Sequence, residues 1–167
     1  MASDDEVEII SPPTQLRDKV TVGGISAVDP AAIARAEQAI ADLAENYLVW
    51  AQTDLTKIQN AYARLDTERG ETRDENLKKI FSVAHDMKGQ GGSFGFDLVT
   101  SVGNHLCRLL ERFDGTVDPA TENEAIRIHM DAITLIINND MKGHGGPQGE
   151  AMLKGIQQMV AKLVPGV

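Results

Sequence analysis

A chain of 167 residues with 42% hydrophobic and 25% charged content is long enough to bury one core and has ordinary globular proportions. The net charge of −9 excludes general nucleic-acid binding, which needs a basic footprint, and the single cysteine, Cys107, excludes an intramolecular disulfide and any multi-cysteine metal site. Aromatic residues make up only 4%, which favours a helix bundle packed with Leu, Ile, Val and Ala over a β-sandwich.

Residues 1–29 read as an acidic, flexible tail. Asp4, Asp5, Glu6 and Glu8 cluster, Pro12-Pro13 blocks regular structure, and Gly23-Gly24 adds freedom, although Leu16, Val20, Val22, Ile25 and Val28 could pin part of it to a core. The first residues lack the basic and apolar regions of a secretory leader, and no window approaches the ~18 apolar residues of a membrane span. The expectation is a soluble cytoplasmic protein that binds neither membrane nor nucleic acid.

Residues 30–167 read as one helical domain. Asp29-Pro30 is a helix start, an acidic cap followed by proline at the first position. Ile33, Ala36, Ile40, Leu43, Tyr47, Trp50, Leu55, Ile58, Tyr62 and Leu65 sustain an apolar stripe to about Asp66, with a kink allowed at Thr53-Asp54. Gly70 stops this segment, and Thr72 with Glu75 forms a capping box for the next. In that second helix Leu77, Ile80, Phe81, Ala84, Met87, Gly91 and Phe94 recur at spacings of three and four. Gly95 marks a tight turn into a third helix, about Phe96–Phe113, so that 72–113 forms an antiparallel hairpin.

Asp118-Pro119 and a Thr121/Glu124 capping box open a fourth helix to about Met141, and Pro147 opens a fifth over Gln148–Val164. The fold expected is all-α: an up-and-down antiparallel four-helix bundle with an extra C-terminal helix and a flexible N-terminal tail. The stretch Asp140-Met141-Lys142-Gly143-His144-Gly145-Gly146 nearly repeats Asp86-Met87-Lys88-Gly89-Gln90-Gly91-Gly92. Asn139 stands where the first copy has His85, so the repeat reads as a helix end with a glycine stop. His105, His129 and His144 read as surface or helix-rim residues.

At about 100° per residue, Lys78, Phe81, His85, Lys88, Gly89 and Gly92 fall on one strip beside the buried stripe. Three glycines in four residues cost a helix roughly 1 kcal/mol each relative to alanine, and their benefit is room beside the imidazole. Asn104, His105 and Arg108 of the third helix are the residues placed to border this strip. No histidine has the Glu-x-x-His spacing of a bundle metal site, so none is expected.

His85-Asp86-Met87-Lys88-Gly89, with Gly92-Ser93-Phe94-Gly95 and a second apolar helix, resembles the signature of histidine-containing phosphotransfer (HPt) domains; with flanking helices the resemblance extends from roughly Pro30 to Met141. It implies an HPt-like bundle in which His85 is the phosphoacceptor and Lys88 stabilises the phosphate. Gly89, Gly92, Phe81 and Lys78 would give clearance and docking contacts. It also implies that the partners are response-regulator receiver domains, including that of a hybrid histidine kinase. The chain would then be a phosphoryl carrier in a multistep phosphorelay, without an ATP-binding kinase domain. It would need no cofactor of its own, the Mg²⁺ sitting on the receiver. The alternative is an HPt-like docking module that binds a receiver or kinase without carrying phosphate. A monomer and a homodimer are both compatible with the apolar last helix.

Overall fold

The computed structural model of the chain describes residues 29–164, so all of the expected tail but Asp29, its apolar residues Leu16 to Val28 included, lies outside the described residues. The described residues form α1 (Pro30–Tyr62), α2 (Glu71–Gly91), one 3-10 turn (Gly92–Phe94), α3 (Asp97–Leu110), α4 (Pro119–Asn138) and α5 (Gly146–Leu163). No strand occurs among them. The chain divides into two units at Ala39/Ile40, within α1. In the first, Asp29 caps α1 by accepting the Ala31 N–H at 2.9 Å and sits 3.7 Å from Arg35.

The second unit, 40–167, holds the bundle. Helix directions follow from its cross-contacts. Trp50 and Asp86 share one surface recess and Arg64 and Asn76 another, so α1 runs antiparallel to α2. Gln52 donates to Asn138 at 2.9 Å while Asn123 donates to Asp66 at 2.7 Å, so α1 also runs antiparallel to α4. Between them lies a core of Tyr47, Leu55 and Ile58 from α1, Ile80, Ala84 and Met87 from α2, Val99, Val102 and Leu106 from α3, and Ile126, Ile133 and Ile136 from α4. Each fully buried aliphatic side chain contributes about 1.5–3 kcal/mol. Helix α5 adds Ile156 and Val160 against the outside of this core.

Several expectations are corrected. Helix α1 is unbroken through Thr53, whose hydroxyl donates to the Val49 carbonyl at 3.0 Å instead of kinking the helix. It stops at Tyr62, and Leu65 is buried from the turn that follows. Ile40 and Leu43 are 52% and 46% exposed, ahead of Tyr47, the first buried residue of α1 among those described, and Trp50 is 41% exposed at the rim of the covered face, edge-on to Phe94. Neither capping box forms. Gly70, with a positive φ of 57°, precedes α2 without a side-chain cap. At α4, Asp118 takes the cap itself by accepting the Ala120 and Thr121 N–H groups, and Glu124 turns to Arg127 at 2.6 Å. Helices α3 and α4 each end three residues earlier than the apolar pattern suggests, at Leu110 and Asn138.

His129 is the largest departure. It is 1% exposed rather than at the surface, with Nδ1 2.8 Å from the Ala125 carbonyl. That bond satisfies one nitrogen and lets the ring join the apolar face with Ile126, Met130 and Ile133. Burial, helped by His105, pushes its pKa down to about 4, so the ring is neutral.

Candidate functional site

The α2–α3 hairpin is closed by backbone contact that only small residues allow. Thr100 ties the end of α2, accepting the Gly92 N–H at 2.8 Å and donating to the Lys88 carbonyl at 2.9 Å. A Cβ on Gly91 would meet the Phe96 carbonyl oxygen and Thr100 Oγ1, each at 2.9 Å, so Gly91 is glycine for packing reasons. One turn further along α3, a Cβ on Gly103 would sit 3.1 Å from Lys88 Cβ and 3.3 Å from the Ala84 carbonyl oxygen. The close approach of the two helices therefore runs from Gly91 back to the turn that carries Lys88.

The near-repeat has a structural place. Asp140, at φ 47°, turns the chain after the end of α4, and the loop docks on the hairpin turn. The Leu98 N–H donates to the Gly143 carbonyl at 3.1 Å, and the Gly143 N–H donates to the Gly95 carbonyl at 2.6 Å. Lys142 Nζ lies 3.9 Å over the Phe96 ring. The helix end with a glycine stop is thus also a clasp on the turn that follows the His85 helix.

His85 is exposed on α2, and its ring nitrogens make no hydrogen bond with a described residue. Its ring stacks beside that of half-buried Phe81, at 6.0 Å between centroids and 25° between planes, which restricts the imidazole without covering it. The ring borders an open groove of about 470 Å³ between α2 and α3. Lys88, half-buried at its stem, lies one helical turn onward on the groove wall. Asn104 and Arg108 face it from α3, and Lys88 and Arg108 form no ion pair with a described residue. Asp86 and Glu111 bring two carboxylates to the same groove. A Cβ on Gly89 would meet nothing within 4 Å, and one on Gly92 would make only ordinary contacts at 3.6 and 3.7 Å. These two glycines leave open surface beside the imidazole.

Two residues expected near the groove lie elsewhere. Lys78 is exposed on α2 but does not line it. His105 turns toward α5, 3.5 Å from Gln157, into a different recess, because it sits one position too far round α3. Ser82, Asp86, Cys107 and Glu111 line the groove although the strip reading omitted them. Extending the three-and-four spacing from Asn104 and Arg108 would have reached Cys107 and Glu111. Thr100 and Gly103 carried no signal by themselves, since their roles depend on how closely the two helices approach.

Cys107 is buried in the groove floor, and burial raises its thiol pKa against the lowering effect of Lys88, the opposite of what a reactive cysteine needs. Among the described residues no group of three or more His, Cys, Asp or Glu could hold a metal ion, and no helix is long and apolar enough to cross a membrane.

No curated protein and no solved structure gives a significant match to the chain. The family model of the Hpt domain matches residues 42–138, more than half of the sequence, from α1 through the last residue of α4, with His85 and its groove inside the match and α5 outside it. Hpt domain proteins are phosphocarriers of two-component signalling that interact with response-regulator receiver domains. A bundle with an exposed histidine on its second helix, matched across all four of its helices, establishes the relationship: the chain belongs to the Hpt domain family.

Proposed function

We propose that the protein shuttles a phosphoryl group between aspartates of response-regulator receiver domains through phospho-His85. The observation that carries this reading is the state of His85. It is an exposed imidazole with no internal hydrogen bond, one turn from Lys88 and beside the bare backbone of Gly89. A structural histidine in this same fold looks different, as His129 shows with its buried ring and carbonyl bond.

In the forward step a ring nitrogen of His85 attacks the phosphorus of an aspartyl phosphate on the receiver. An N–P bond forms, the acyl P–O bond breaks, and the aspartate leaves as carboxylate. The reverse step is the attack of a receiver carboxylate on phospho-His85. The transition state is loose and spreads charge over the equatorial oxygens, so positioning and compensating charge govern the rate. Lys88 supplies a cation whose base is held by the contact with Gly103. Phe81 restricts the ring, and Gly89 and Gly92 admit the incoming domain. The receiver brings the Mg²⁺, and the donor brings an already activated phosphoryl group, so this chain needs neither a cofactor of its own nor an ATP site.

The test is transfer from a phosphorylated receiver domain. Acid-labile, base-stable label is expected on the wild type and absent from His85→Gln. Label that persists in His85→Gln would remove the assignment. Binding without label on any cognate receiver would make the protein a docking module.

A further inference from the structure

The geometry points to a second docking contact for the receiver domain: an acidic segment of that partner seats in a basic recess between α3 and α5. This deepens, and rests on, the reading of His85 given above. The recess encloses about 400 Å³ and is lined by His105, Arg108 and Arg112 on one side and by Gln157, Val160 and Ala161 of α5 on the other. Arg108 lines both this recess and the His85 groove, so the two are neighbours across one side chain. A rigid domain placed over His85 therefore has the recess within its footprint.

Charge selects the occupant. Among the described residues no carboxylate lines the recess, in a chain whose net charge is −9. Among the other described arginines, Arg73 lies 2.9 Å from Glu122 and Arg127 lies 2.6 Å from Glu124 and 3.1 Å from Asp131, while Arg69 turns to the carbonyls of Leu65, Asp66 and Glu68 and Arg64 pairs with no described acid. Arg108 and Arg112, one turn apart, form no ion pair with a described residue. A helix C-terminus favours cations, which accounts for basic residues at this end of α3. It does not account for a recess that α5 walls and that no described carboxylate lines. Guanidinium groups held open in this way match carboxylates, which they grip in bidentate fashion. Ala161, exposed on α5 beside the buried Val160, offers apolar surface to the methylene groups of a Glu- or Asp-bearing segment.

Helix α5 lies beyond residues 42–138, so half of the recess comes from outside the matched family region. It is suited to telling one receiver from another, while the His85 groove handles the chemistry common to all. Opposite charge at such a site raises association rates and sets partner choice.

The experiment compares full-length wild type with Arg112→Glu and Arg112→Ala by two readouts. Labelling of His85 by potassium phosphoramidate, a small donor that needs no docking, is expected to be unchanged in both variants, as is the thermal melt. Transfer from purified receiver domains of the source organism, each phosphorylated with acetyl phosphate, is expected to lose about tenfold or more in kcat/KM for Arg112→Glu, mostly through KM, with less loss for Arg112→Ala and a flatter salt dependence in both. If the wild type exchanges phosphate with a receiver and Arg112→Glu does so equally well, the second contact is refuted while the role of His85 stands. If the wild type takes label from phosphoramidate but exchanges with no receiver, both readings fall. Saturable binding of inorganic phosphate that Arg112→Glu abolishes without slowing transfer would assign the recess to a small anion and overturn the docking contact.

Discussion

Gly103 on α3 sets the position of Lys88 on α2: a Cβ at 103 would lie 3.1 Å from the Lys88 Cβ and 3.4 Å from its Cα. The cation beside His85 is therefore placed by a residue with no functional group of its own.

A larger side chain at this position should act on both stability and transfer. Gly103→Val forces α3 away from α2, and overpacking of this kind costs about 1–3 kcal/mol. The expected outcome is a lower melting temperature together with a loss of receiver-mediated transfer. Labelling by phosphoramidate should also slow, because the ammonium that compensates the transferred charge has moved. Unchanged labelling in a folded Gly103→Val protein would show that Lys88 does not need this seat.

Gly89 should respond in the opposite sense. It lies inside α2, where alanine is better by roughly 1 kcal/mol, and a Cβ there meets nothing within 4 Å. Gly89→Ala is expected to raise the melting temperature while slowing transfer with receivers and sparing phosphoramidate labelling. A variant that is both more stable and equally fast would mean that this gap serves no docking partner.

The contrast among the glycines shows how far the sequence could be read. Period and punctuation were enough to place five helices, the hairpin turn at Gly95 and the exposed side of His85, because each of these depends on residues near in sequence. The three-and-four spacing puts Gly91 on the buried stripe and Gly89 on the open strip, but it does not say how tightly either is packed: a Cβ at Gly91 would press on Phe96 and Thr100, whereas Gly89 faces open space. That closeness depends on the distance between α2 and α3. The capping box at Thr121 failed because Asp118, three residues earlier, takes the Ala120 and Thr121 N–H groups and starts the helix there, which leaves Thr121 inside it. His129 was misplaced because polar identity outweighed position, although its spacing from Ile126 and Ile133 was that of the core.

His129 gives a prediction about pH. Its folded pKa is pushed down to about 4 by burial, below the ordinary histidine value near 6.5. Between these values the unfolded chain binds more protons than the folded one, so stability rises with pH across that window. The contribution is complete above the unfolded value and is lost as pH falls toward 4, on the order of 3 kcal/mol in total. Urea unfolding at pH 7 and pH 4.5 measures it. His129→Met, which cannot titrate, should show a shallower loss of stability over this range than the wild type.

The last prediction concerns the far end of α2. Arg73 is buried, with Nη2 2.9 Å from Glu122 Oε2 and 2.9 Å from Asn123 Oδ1, and Asn123 in turn donates to Asp66. Burial raises the pKa of Glu122, opposed by the Arg73 charge, so the pair is held in place against a real desolvation cost. Arg73 Nε is buried with no hydrogen-bond partner, so even the intact network leaves one donor unsatisfied. Removing only one partner leaves a buried charge alone, which costs about 3–5 kcal/mol, whereas replacing both with apolar groups of similar volume is often neutral. Arg73→Met should therefore be strongly destabilised in urea, and Arg73→Met combined with Glu122→Leu should recover most of that loss. His85 is twelve residues along the same helix, about 18 Å away at 1.5 Å per residue. The double variant should then label from phosphoramidate at the wild-type rate. A double variant as unstable as the single one would show that Asn123 and Asp66, rather than the ion pair, hold this end of the bundle together.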